Sequence, residues 1–147
     1  MSSLEVAAAD FIARFEGFRS HAYWDVNHWR IGFGSDTIGE TMLTCRKGSV
    51  ETQEDAIANL RMRISRFVGV ITTQIGKLNW MKLSQNEQVA LIDITYNYGR
   101  LPHSVVWACS HGDRAAISHA ILNHEHDNRS INMARRKAEA ALITEIA

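Results

Sequence analysis

The stretch "FEGFRSHAYWDVNHWRIGFGSD", residues 15–36, decides the fold. Glu16 ends an apolar-periodic segment, and Asp25 follows nine residues later among aromatics. Arg30 stands directly before "IGFG". Upstream, Leu4, Ala8, Phe11, Ile12 and Phe15 recur at helical spacing, so the spacing predicts a helix capped by Ser2 or Ser3 and stopped by Gly17. From 21 to 37 the pattern becomes alternation with glycines, which predicts a short β-hairpin or meander. Glu16 therefore sits where the negative end of a helix dipole favours a protonated carboxyl. Asp25 falls on a turn, where solvent favours the ionised form. Two carboxyls in contrasting environments are what acid-assisted glycoside hydrolysis requires. By spacing alone, a surface helix-end glutamate and a turn aspartate are the better reading.

Downstream, residues 38–51 read as loop. A helix starts near Thr52, with Asp55 in its first turn and Ile57, Leu60, Ile64 and Phe67 on one face, and runs on past a bend near Gly69 to Ile75. "SQNEQVALIDITYNYG" carries a capping box, Ser84 and Glu87, an apolar stripe and a terminating Gly99. A short helix follows Pro102 through Val105, Val106 and Ala108, and Asp113 caps another containing Ile117, Ala120 and Ile121. The last helix runs from about Asn132, with Ala134, Ala138, Ala141 and Leu142 expected inward. The architecture is α+β: a small N-terminal sheet, then a mainly helical lobe.

Composition narrows the function. The chain has 147 residues, 46% hydrophobic and 22% charged, which suits one domain. Sixteen basic residues balance sixteen acidic ones, which gives no push toward nucleic acid or an anionic membrane. The N-terminus lacks a basic region before an apolar run, so no signal peptide is expected, and no stretch approaches a membrane span. Cys45 and Cys109 have no CxxC spacing and read as free thiols, with a disulfide left open. Among seven histidines, "HAILNHEHD" gathers His119, His124, Glu125, His126 and Asp127. Its spacings of five and two differ from the i,i+4 pair of helical zinc sites, so a solvated loop is the better reading.

The run "FEG…AY.D…IGFG" resembles the active-site segment of phage-type lysozymes, the endolysins of glycoside hydrolase family 24. "LSQNEQVALIDITYNYG" resembles that family's long central helix, and "GSVETQEDAIANL" the start of the helix joining its two lobes. "HGDRAAISHAI" and "NMARRKAEAAL" resemble its last two helices. The resemblance covers nearly the whole chain in order. It implies a single lysozyme-like domain over 1–147, with a β-rich lobe at about 18–50 and a helical lobe at about 52–147 that includes the first helix. The active-site cleft would lie between the lobes. It further implies a muramidase cleaving the β-1,4 bond between N-acetylmuramic acid and N-acetylglucosamine, with Glu16 as acid and Asp25 as base or stabiliser.

Tyr96 and Asn97 match an aromatic–amide pair lining the family's sugar cleft, and Ser104 falls near a serine that contacts substrate. Arg135 or Arg136 matches an arginine packed near the catalytic glutamate. Tyr96 reads equally as core, and Arg135 as an i,i+4 partner of Glu139 on a solvated face. Trp24 and Trp29 could stack on sugars or pack the hairpin.

One departure stands out. The family has five residues between its aspartate and a threonine that helps hold the attacking water. This chain has four, Val26 to Trp29, and then Arg30. Arginine has no acceptor and is no base. It could pair with Asp25, bind a substrate oxygen, or point to solvent, while Ser35 or Thr37 could offer a hydroxyl. Expected partners are peptidoglycan glycan strands, without nucleic acid, stable membrane association or cofactor, and with the protein a monomer. The expected route is synthesis in the host cytoplasm, then action on the wall after release by a holin or delivery by a phage particle. Alternatives are a lytic transglycosylase using Glu16 alone, a catalytically decayed wall-binding relative, and a metal-dependent hydrolase built on the histidine cluster.

Overall fold

The computed structural model describes residues 2–145. The chain divides after Arg66 into two compact units. Helix α1, Ser3–Glu16, opens the first. Ser2 is the N-cap: its hydroxyl accepts from the Glu5 N–H while the Glu5 carboxylate accepts from the Ser2 N–H, each at 3.2 Å. Ala8, Ala9, Phe11 and Ile12 are its buried face, and Gly17, at φ 65°, ends it.

Strands β1, Arg19–Asp25, and β2, His28–Gly32, form the expected antiparallel hairpin, with Tyr23 opposite Arg30 and Asp25 opposite His28. The connection is very tight. The Asn27 N–H donates to the Asp25 carbonyl at 2.6 Å, and Val26 at its centre has φ 54°. That is a γ-turn through a β-branched residue, a strained conformation, and it terminates β1 at Asp25.

The segment 38–51 is more than the expected loop. It holds a second small ladder, β3 Thr37–Ile38 against β4 Leu43–Thr44, and His21 bridges to Val50. Glu51 explains the extra order. This buried carboxylate accepts from the Gly39 N–H at 2.8 Å, and Asn59 donates to the Gly39 carbonyl at 3.1 Å and to Thr37 Oγ1 at 3.0 Å. Two side chains thus fasten backbone that has little apolar content of its own.

Helix α2, Gln53–Ile75, runs through Gly69 as expected, with Ala56, Asn59, Leu60, Ile64, Ile71 and Ile75 buried. A short helix that the sequence pattern did not suggest, α3 Lys77–Lys82, buries Trp80. Helix α4, Gln85–Tyr98, has the predicted Ser84–Glu87 capping box and the left-handed Gly99 stop. It is buried continuously from Val89 to Thr95, as a central helix must be. Helices α5, His103–His111, and α6, Arg114–Leu122, follow, the latter capped by Asp113 as expected. Helix α7, Met133–Thr144, packs on α4 and α6.

The inward face of α7 differs from expectation. Ala134 and Ala141 are exposed, and the buried residues are Arg135, Arg136, Glu139, Ala140 and Ile143. Charge complementarity drives this. Arg135 makes a bidentate pair with the buried Asp93 of α4, at 2.8 and 2.7 Å, and is itself buried rather than on a solvated face. Arg136 pairs with Glu139 instead and donates to Asn97 Oδ1 at 3.0 Å. Burial pushes the Glu139 carboxyl well up, reinforced by Asp93 and opposed by Arg136. Cys45 and Cys109 are both buried and free, and burial pushes the Cys109 thiol to about 12.

Candidate active site

Glu16 is the last residue of α1, Asp25 the last of β1, and Arg30 lies in β2, all within the first unit. Arg30 is half-buried and joins them. Its Nε donates to Asp25 Oδ2 at 2.6 Å, and its Nη1 donates to the Gly34 carbonyl at 2.8 Å. Gly34 in turn lies against the other carboxyl. A β-carbon added there would stand 3.1 Å from Glu16 Oε2, and the φ of 80° suits glycine. The guanidinium thus ties one carboxylate to the loop that abuts the other. Of the arrangements open to Arg30 on sequence, the structure shows the ion pair with Asp25.

Tyr23, quoted in the motif but not singled out, belongs to the same neighbourhood. It faces Arg30 across the hairpin, and the Arg19 guanidinium lies 4.5 Å from its ring centroid. Burial pushes its hydroxyl up. The charges of Arg30 and Arg19 oppose this, and those of Asp25 and Glu16 reinforce it. Alternation along β1 was the available signal, since Tyr23 and Asp25 fall on one face.

Ser35 is placed otherwise than expected of a substrate hydroxyl. It is buried, and its Oγ accepts from the Thr37 N–H at 3.0 Å and lies 3.1 Å from Thr37 Oγ1. Trp24 and Trp29 meet edge-to-face across the hairpin, and Trp24 remains largely exposed.

The remaining candidates lie in the second unit. Tyr96 packs its ring edge-on against Phe67 and is half-buried, and Asn97 is held by Arg136. Ser104 lies on α5, 3.1 Å from His124 Nε2, and Arg135 is locked on Asp93. In the histidine segment, His124 bonds Asp127 at 2.8 Å and His126 approaches Glu125 at 3.2 Å. Among the described residues no group of three or more His, Cys, Asp and Glu side chains is arranged to hold a metal ion. No helix among them is long and apolar enough to cross a membrane.

This is a lysozyme-like α+β fold. Solved structures of similar shape include the muramidase domain of SpmX from Asticaccaulis excentricus, with TM-score 0.77 and 24% identity over 99% of this chain and 100% of that one. A mutant of P22 lysozyme aligns with TM-score 0.80 and 22% identity over 99% and 98% of the two chains. The endolysin from the Escherichia coli O157:H7 phage FAHEc1 gives TM-score 0.80 and 23% identity over 98% and 94%. No curated protein matches in sequence. The phage lysozyme family model matches residues 13–139, and the chain belongs to that family.

Proposed function

We propose that this protein is a muramidase that hydrolyses the β-1,4 bond between N-acetylmuramic acid and N-acetylglucosamine in peptidoglycan. One observation carries the reading: Arg30 fastens Asp25 and also the Gly34 loop against which the Glu16 carboxyl rests. Family membership and the muramidase and endolysin structures of the same fold support it.

Glu16 donates a proton to the glycosidic oxygen as the leaving group departs. Asp25 assists from the other face of the sugar, as base to a water or as stabiliser of the oxocarbenium-like transition state. Arg30 fixes the Asp25 rotamer through a charge-assisted hydrogen bond. Two carboxyls suffice, so no metal or cofactor enters the reaction. The substrate lies outside the host membrane, so a holin or a phage particle delivers the protein to the wall.

Glu16→Gln tests the acid directly, because the amide is nearly isosteric and cannot supply the catalytic proton. The variant is expected to keep its circular dichroism and to lose about 10²-fold or more of its release of reducing ends from purified peptidoglycan. Near-normal release would remove Glu16 from the mechanism.

A further inference from the structure

The hydrogen-bonded array at the end of α4 is not used by the muramidase chemistry. Ser104 Oγ lies 3.1 Å from His124 Nε2, and His124 Nδ1 lies 2.8 Å from Asp127 Oδ2. With its proton on Nδ1, His124 donates to Asp127 and leaves Nε2 to accept from the serine. The Tyr98 hydroxyl donates to the same Asp127 oxygen at 2.9 Å, and the Tyr98 ring meets His124 edge-on. Hydrogen bonds from His124 and Tyr98 hold the Asp127 carboxyl below the usual range, so it is an anion able to orient the imidazole.

Three surroundings turn this array into more than a surface network. A cavity of about 430 Å³ opens beside it, with Tyr98, Arg100, Leu101, His103, His124 and Asp127 among its lining residues. Ser104 is the second residue of α5, whose N-cap, Pro102, supplies no side-chain cap. The first N–H groups of a helix have no intrahelical acceptor, so those of His103 and Ser104 are available to a developing oxyanion. Finally, Asp127 is followed by Asn128, Arg129 and Ser130 at φ 50°, 57° and 64°. Three successive non-glycine residues in the left-handed region are a costly way to end a loop, and such strain concentrates where side chains must be held in place.

We propose that Ser104, His124 and Asp127 form a second, serine-nucleophile site that hydrolyses small acyl esters bound in the adjoining cavity. Ser104 Oγ bonds to the ester carbonyl carbon and its proton passes to His124 Nε2. The ester C–O bond breaks and the alcohol leaves with that proton. Water then attacks the acyl carbon, giving its proton to His124; the carboxylic acid departs as Ser104 Oγ is reprotonated. The site does not depend on the muramidase reading, because its probes are not glycans.

The test uses p-nitrophenyl acetate and a fluorophosphonate, with tryptic mass spectrometry to locate the adduct. The expected result is p-nitrophenol release, one phosphonate per chain on Ser104, and no adduct there in Ser104→Ala. His124→Ala and His124→Gln are both expected to slow labelling by about 10²-fold or more while retaining near-ultraviolet circular dichroism. Absence of an adduct on Ser104 in the folded wild-type protein would overturn the proposal. So would labelling at the wild-type rate in a folded His124 variant.

Discussion

At the scale of single residues, the account rests on Arg30 and Gly34. Removing the guanidinium leaves the Asp25 carboxylate without its 2.6 Å partner and frees the Gly34 carbonyl. Loss of one charged hydrogen bond corresponds to about 1.5–3 kcal/mol, so turnover of Arg30→Ala on peptidoglycan is expected to fall roughly ten- to a hundredfold. Gly34→Ala acts on the other carboxyl. Its methyl would press on Glu16 Oε2 from 3.1 Å, and a non-glycine residue at φ 80° costs about 1–2 kcal/mol. A lowered melting temperature with a larger proportional loss of turnover is expected. A variant that loses stability but retains full turnover would show that Gly34 does not position Glu16. The sequence exposed both carboxyls, the glycines and Arg30, because a motif fixes residue types at fixed spacing. It did not single out Tyr23, and it left open whether Ser35 or Thr37 offers a hydroxyl. The direction of a short side chain depends on the turn that holds it, and Thr37 takes the Ser35 oxygen.

At the scale of elements, the helices were readable where local rules act alone. The Ser2 cap of α1, the capping box of α4 and the Asp113 cap sit where the sequence puts them. Local pattern gives way where tertiary charge overrides it. On α7 the alanine spacing pointed inward, but Asp93, buried on α4, claims Arg135 and turns the charged face to the core. Such a partner is 42 positions away and invisible to periodicity. The β3–β4 ladder was missed for a related reason: its order comes from the Glu51 carboxylate and the Asn59 amide rather than from apolar alternation. Glu51 also gives a signed pH dependence. Burial raises its carboxyl, with the Gly39 hydrogen bond opposing and Asp55 reinforcing. A raised carboxyl stabilises the fold fully below the unfolded value of about 4.3, and that contribution is lost as pH rises through the folded value. Glu51→Gln keeps the acceptor for Gly39 and carries no charge. Its melting temperature relative to wild type is therefore expected to rise by a few °C between about pH 4 and 7. A difference independent of pH would mean the carboxylate is accommodated at no cost.

At the scale of the whole molecule, the chain belongs to the phage lysozyme family and has its fold, and its hairpin turns within two residues, Val26 and Asn27. Val26, at φ 54°, carries the strain of that turn. It brings Arg30 opposite Tyr23, on the face that carries Asp25. The proposal is that this site hydrolyses its glycan, with Asp25 held by Arg30 while water attacks. The products distinguish the possibilities, because a transglycosylase needs only Glu16 and closes the muramic acid on itself. Mass spectrometry of purified peptidoglycan digested by the wild-type protein tests this most directly. The account predicts muropeptides with reducing N-acetylmuramic acid ends, one water heavier than the anhydro form. Anhydro-muropeptides as the main product, or no cleavage at all, would contradict it.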